Sequence, residues 1–296
     1  MRWFCAIAVL AGILGGLASP AHAARYAAPR AATVQDRFFL SSDHIQLHYL
    51  EAGRGHTIVF VPGWTMPAWI FNRQIADFAR NYHVVAFDPR GQGDSTIAAS
   101  GYTPGRRGQD IADLISQLGP QPVLLVGWSL GVLDALSYVR SHGDRMIAGL
   151  VLIDNSVGEE PPPPYSPSPP ARRRVPPVPR PLAMRRFVDS MFRSRQSAAY
   201  LAKLTATALR TPPDAARALL SYPLPRSYWK AAVYDVHRPL LYVVRPGLSG
   251  QAGNLQAHRP DTESVVLQGV GHAMFVDDAA RFDTLVRRFI HRRVWP

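Results

Sequence analysis

Four short apolar runs at near-regular spacing limit what this chain can fold into. They read TIVFVPG (57–63), HVVAFDPRG (83–91), VLLV (123–126) and IAGLVLIDNS (147–156). Each is continuous rather than alternating, as expected of a strand buried on both faces. Helical spacing fills the intervals: Trp69 to Arg80, Pro104 to Leu118 and Leu130 to Ser141. The second of these has proline at its start and Gly119-Pro120 at its end, both ordinary helix boundaries. Buried strands alternating with helices predict a mostly parallel α/β sheet with helices on both faces. PLLYVV (239–244) and SVVLQGVGH (264–272) extend the sheet, and Asp277 to Arg292 closes as an amphipathic helix. Before all of these, DRFFLSSDHIQLHYLEAG (36–53) alternates around a polar turn and predicts an antiparallel hairpin.

The alternation breaks at EPPPPYSPSPPARRRVPPVPRP (160–181), half of it proline. That density forbids helix interior and sheet and favours extended polyproline II. Helix-like patterns return over Arg185 to Leu220, interrupted at Thr211-Pro212-Pro213. The expected organisation is one core over 36–156 and 237–296, with a helical, Pro-rich lid or cap insertion at 157–236.

The N-terminus, MRWFCAIAVLAGILGGLASPAHA, has a basic start at Arg2 and an apolar stretch from Phe4 to Leu17. That stretch is short for a membrane span, and Ala21-His22-Ala23 is a small-residue cleavage pattern. Residues 1–23 therefore read as a secretory signal peptide and 24–35 as a flexible arm. The expected location is beyond the inner membrane, periplasmic or extracellular, without stable membrane insertion after cleavage. The single cysteine, Cys5, lies inside the apolar stretch, so neither disulfide nor thiol chemistry is expected after cleavage. The net charge of +12 comes mostly from scattered arginines. No zinc-ligand spacing or helix-turn-helix signature accompanies it, so nucleic acid is not the expected partner.

A serine stands between two glycines where the third apolar run meets its helix: Gly127-Trp128-Ser129-Leu130-Gly131. A buried strand has no local use for a hydroxyl. In G-x-S-x-G a sharp turn forces the serine into a strained conformation and exposes its hydroxyl at the carboxyl edge of the sheet. The flanking glycines, Gly127 and Gly131, remove the Cβ atoms that would clash in this nucleophile elbow. A serine hydroxyl needs a base to act at neutral pH. His272, in LQGVGHAMFVDD, is the candidate, at the end of the last expected strand and after Gly269 and Gly271. His44, His48, His56, His83 and His142 read as surface or strand-end residues, and His258 as part of a short connection. The developing oxyanion needs donors. The backbone N–H groups of Leu130, at the helix start, and of Trp64, after Pro62-Gly63, are the candidates. The side chains of Trp64 and Trp128 are expected to border an acyl site.

GWSLG, GVGH and FDPRGQGDS (87–95) resemble the α/β-hydrolase superfamily in order and spacing, over nearly the whole chain after the leader. The resemblance points to a secreted serine esterase or lipase-like branch with a lid insertion. It implies an α/β-hydrolase fold, carboxylic ester hydrolysis on a small-molecule substrate and no cofactor. Pro62 replaces the histidine that the family usually shows before its oxyanion glycine. Asp88, Arg90, Gly91, Gly93 and Ser95 resemble a structural loop of the family.

One departure concerns the triad acid. The family usually places it after the strand read here as PLLYVV, but no carboxylate occurs from Val236 to Pro260. Asp154, at the end of IAGLVLIDNS, occupies a position used in some branches and is the leading candidate. Asp261 or Asp235, or a Ser–His dyad, are the alternatives. The elbow serine speaks against dehalogenation, which needs an aspartate there. The aromatic and apolar side chains of the insertion suggest a pocket for small or medium apolar acids. No metal-ligand cluster is evident, and no metal is expected. Perhydrolysis, amide or lactone hydrolysis and a catalytically weak binding role are the competing readings.

Overall fold

The computed structural model describes residues 32–162 and 178–296. The expected leader, most of the arm and most of the proline run lie outside the described residues.

Eight strands form one sheet in the order β1-β2-β4-β3-β5-β6-β7-β8 among the described residues. β1 (Gln35–Leu40) and β2 (Gln46–Gly53) form the antiparallel hairpin, and β2 pairs antiparallel with β4 (His83–Asp88). From β4 onward the sheet is parallel, through β3 (Thr57–Val61), β5 (Val123–Trp128), β6 (Ile147–Ile153), β7 (Leu240–Val244) and β8 (Glu263–Val266). This is the α/β-hydrolase fold.

The continuous apolar runs are explained by two cores, one on each face of the sheet. Ile58 and Phe60 pack on one side with Phe71, Phe78, Trp128 and Phe282, while Val59 and Val61 pack on the other with Leu114, Leu136 and Tyr242. Successive residues of one strand thus bury into opposite layers. Each fully buried side chain of this kind contributes about 1.5–3 kcal/mol. The first face is covered by α1 (Asn72–Phe78) and α10 (Ala279–Phe289). The second is covered by α2 (Pro104–Leu118) and α3 (Leu130–His142). Thr103 caps α2 by accepting from the Arg106 N–H, as the Thr-Pro start leads one to expect.

Between β6 and β7 the described part of the insertion carries α4 (Arg180–Ser190), α5 (Ala198–Ala208), α6 (Pro213–Leu220) and α7 (Arg226–Tyr234). The breaker Thr211-Pro212-Pro213 falls between α5 and α6, with Pro213 opening the latter.

Five expectations need correction. The last strand stops at Val266, so His272 stands on a loop six positions further on and not at a strand end. Gly269, at φ +79°, marks that loop. The segment around His258 is a helix, α8 (Ser249–His258), which lacks the strong apolar periodicity by which helices are recognised. The stretch from Trp69 begins as a tight turn over Ala68–Phe71 before α1, and the closing helix is preceded by a single turn, α9 (Met274–Asp277). His48 is buried in β2, its ring held between Asp88 (2.7 Å) and Asp36 (3.1 Å). Two carboxylate partners make burial of that imidazole tolerable. No described helix is long and apolar enough to cross a membrane.

Candidate active site

Parallel register decides which residues meet at the carboxyl edge. Val61 lies beside Gly127, Trp128 beside Ile153, and Ile153 beside Val243. The residues that follow these strand ends, Pro62-Gly63, Ser129, Asp154 and Arg245, therefore emerge side by side. Sequence distance is irrelevant to this grouping.

Ser129 has φ +54° and ψ −120°, a conformation that costs an L-residue free energy and persists only where surroundings enforce it. The enforcement is visible. The Ser129 N–H donates to Ile153 O (2.9 Å), and Asn155 Nδ2 donates to Ser129 O (2.8 Å). A Cβ at Gly127 would collide with the Gly131 carbonyl, and one at Gly131 with the carbonyl of Val61. Strand, turn and helix approach so closely here that only glycine fits. Gly63 is the third such position: a Cβ there would lie 2.9 Å from Ser129 Cβ and 3.3 Å from its Oγ. The turn bearing Trp64 thus runs directly beside the serine. Leu130 opens α3, whose positive end faces the same point.

Asp154 also carries a positive φ, +52°, and its N–H donates to Val243 O (2.9 Å). Its carboxylate Oδ2 meets His272 Nδ1 at 2.6 Å. Arg245 adds two donors, its backbone N–H to Oδ1 (3.0 Å) and its Nε to Oδ2 (2.5 Å). Burial pushes the Asp154 carboxyl up, but the bonds from His272 and Arg245 outweigh it and hold the group below its ordinary value. Of the alternative acids, Asp235 pairs with Arg140, and Asp261 with Arg259. The structure brings Asp154 and His272 together, next to the elbow that carries Ser129.

The His272 loop is held from three sides. Trp128 Nε1 donates to His272 O (2.9 Å), and the two rings lie 5.2 Å apart. Asp277 accepts from the Gly271 N–H (2.6 Å), from Arg193 N (2.8 Å) and from Ser194 N and Oγ (3.0 and 2.6 Å). The Ala273 N–H donates to Met191 O (3.0 Å). These partners hold the Asp277 carboxyl below its ordinary value against the opposing effect of burial. Trp128 is only 1% exposed, so it is a buried support for the histidine loop and not a border of the acyl site. Trp64 is half-buried, donates through Nε1 to Ala216 O (2.8 Å) and meets Phe187 edge-on at 5.0 Å.

A serine on a strained elbow with a histidine–carboxylate pair at the same sheet edge is the constellation by which one large group of enzymes is recognised. The sequence matches the alpha/beta hydrolase family over residues 58–284. The chain belongs to that family. Among curated relatives, this alpha/beta hydrolase is 32% identical over 117 residues to the non-heme haloperoxidase of Rhodococcus erythropolis, covering 39% of this chain and 43% of that protein. The match therefore spans less than half the length of that relative. Among solved structures, it resembles a bromoperoxidase from Bacillus anthracis (TM-score 0.73, 18% identity, 87% of this chain and 100% of that one). It also resembles an esterase from Rhodococcus sp. ECU1013 (TM-score 0.71, 23% identity, 87% of this chain and 99% of that one). At these identities the structural likeness speaks for the fold alone.

Sequence reasoning missed Arg245, Asn155 and Asp277. Arg245 follows the strand where an acid is usual in the hydrolase family, and that absence was the one available signal. For Asn155 the partners, and for Asp277 most of them, are backbone groups, which leave no trace in a side-chain pattern.

Proposed function

We propose that this protein is an exported serine hydrolase that cleaves carboxylic esters of small or medium apolar acids. The 2.6 Å contact between His272 Nδ1 and Asp154 Oδ2, beside the strained Ser129, carries the reading. Ser129 Oγ attacks the ester carbonyl while His272 takes its proton, and the proton passes to the departing alcohol. Asp154 orients the ring and stabilises its charged form. The Trp64 and Leu130 N–H groups stabilise the oxyanion. Water then attacks the acyl-enzyme, His272 again taking the proton, to release the acid. Phe187 and Trp64, packed edge-on, supply apolar surface beside the serine, and the insertion from 157 to 236 acts as the lid.

Treatment with a fluorophosphonate probe, followed by peptide mass spectrometry, tests the nucleophile. The expected adduct is on Ser129, lost in Ser129→Ala and His272→Ala. An ester panel of graded acyl length then reads the pocket. Absence of an adduct on the folded wild type overturns the reading. Export is tested separately by sequencing the N-terminus of the protein recovered outside the cytoplasm, with Ala24 expected first.

The haloperoxidase relative favours a second reading, in which hydrogen peroxide replaces water at the acyl-enzyme and leaves as a peracid. Peroxide-dependent bromination in acetate buffer, abolished by Ser129→Ala, is its test.

A further inference from the structure

Gln92 lies in the RGQGDS stretch, whose resemblance is structural, yet its contacts lead to the site. The side chain is fully buried, and its Nε2 donates both to Gly63 O (2.9 Å) and to Met66 O (2.9 Å). Its Oε1 accepts from Arg107 Nη1 (3.1 Å). Because arginine can only donate, that bond fixes which end of the amide faces Gly63. Arg107 in turn grips Asp134 through Nε (3.0 and 2.9 Å) and Nη2 (2.5 Å), and Asp134 Oδ1 accepts from the Tyr222 hydroxyl (2.7 Å). Arg107 and Asp134 are as buried as Gln92. One buried chain of hydrogen bonds thus runs from the lid insertion to the carbonyls of Gly63 and Met66, and the first of these lies beside Ser129.

That carbonyl belongs to the peptide whose N–H is Trp64. In a trans peptide C=O and N–H point in opposite directions. Gly63 O also accepts from the Met66 N–H (3.1 Å), closing a turn in which Thr65 takes φ +60°. With the carbonyl fixed on the Gln92 side, the N–H is turned to the other. A Cβ on Gly63 would collide with the Ser129 side chain, so this backbone passes directly beside the serine. We propose that Gln92 is a positioning residue that aims the Trp64 N–H at the oxyanion, and that Tyr222 braces it from the insertion through Asp134 and Arg107. The inference rests on the reading of Ser129 as the acyl-transfer nucleophile.

The test uses the whole chain with p-nitrophenyl acetate, and phenylboronic acid as a probe whose tetrahedral adduct on serine puts an oxygen in the oxyanion site. Gln92→Met removes donors and acceptor at similar volume; Gln92→Glu keeps an acceptor for Arg107 but loses the donors. Both are expected to lower kcat by about tenfold to a hundredfold, somewhat less than loss of an oxyanion donor itself. KM stays within about twofold, since the interaction matters in the transition state and not in substrate binding. Phenylboronic acid affinity falls by the same factor as kcat. Tyr222→Phe shows the same pattern at smaller amplitude. A merely structural role lowers the melting temperature and leaves kcat and boronate affinity of the folded fraction unchanged, which overturns the proposal. If neither Gln92 variant folds, Tyr222→Phe decides, and unchanged kcat overturns it. A folded wild type without ester hydrolysis or Ser129 labelling overturns the reading of the site, and this inference with it.

Discussion

Asp154 Oδ2 lies 2.6 Å from His272 Nδ1, across 118 positions of sequence. Arg245 Nε shares the same oxygen at 2.5 Å. The two partners differ in what they do for an acyl transfer. On the proposed reading His272 changes charge during the reaction, and the fixed carboxylate stabilises that change. Arg245 is partly exposed and steadies the carboxylate, with its Nη2 also 3.5 Å from His272 Nδ1. Asp154→Asn is therefore expected to lower kcat by about 10³–10⁴-fold. Arg245→Met removes the guanidinium but leaves Asp154 its bonds from His272 and from the backbone N–H of residue 245, and is expected to cost about tenfold. Steady-state kinetics on one ester, with circular dichroism to confirm folding, compares them.

Two buried carboxyls predict opposite dependences of stability on pH. Asp283, on α10, is pushed up from 3.8 to about 6, chiefly by burial. It binds its proton more tightly folded than unfolded. Its contribution is present below 3.8 and lost as pH rises through about 6. Asp283→Asn removes that loss, and urea denaturation at pH 8 is expected to show a gain approaching about 3 kcal/mol over wild type. Asp154 is held below its ordinary 3.8, so its contribution is present above that value and fades as pH falls through the lower folded one. The stability cost of Asp154→Asn accordingly disappears in acid.

Glycine substitutions separate the site from the scaffold. Gly131→Ala drives a methyl into the backbone of β3 and is expected to destabilise the protein by about 1–3 kcal/mol or more. Gly63→Ala meets mainly the Ser129 side chain. It is expected to cost less stability than Gly131→Ala while reducing fluorophosphonate labelling at least about tenfold, since a near-attack geometry tolerates little displacement.

Asp277 ties the histidine loop to residues 193–194 of the insertion. Asp277→Ala leaves the N–H of Gly271 unpartnered, together with two N–H groups of the insertion. A loss of about 2 kcal/mol is expected, along with faster proteolysis near residue 193 and a fall in kcat. Limited trypsin digestion, reading cleavage at Arg193 and Arg195, checks the local part of that effect.

The strands were legible because β3 to β7 are buried on both faces, and only apolar runs survive there. The elbow was legible because steric crowding leaves a fixed glycine spacing around Ser129. Asp154 could be singled out because it occupies a strand end that some branches of the family use, but its meeting with His272 depends on the register of β5, β6 and β7, which no local pattern encodes. Trp128 shows the limit on the other side. An aromatic beside a reactive serine reads as a wall of the site, while its alternate position in β5 turns it into the core. Gln92 was hidden for a related reason: a structural motif conceals which of its side chains reach beyond the loop.

The inserted segment between β6 and β7 grips both halves of the site. Through Met191, Arg193 and Ser194 it fastens the histidine loop, and through Ala216 and Tyr222 it reaches Trp64 and Asp134. A roof that could be lifted off would touch neither so firmly. Deleting it, or grafting another relative's cap in its place, would not yield a stripped-down enzyme with a wider mouth. It would unfasten the His272 loop and the Trp64 turn together, so on the proposed reading substrate range and catalytic power in this scaffold cannot be engineered as separate modules.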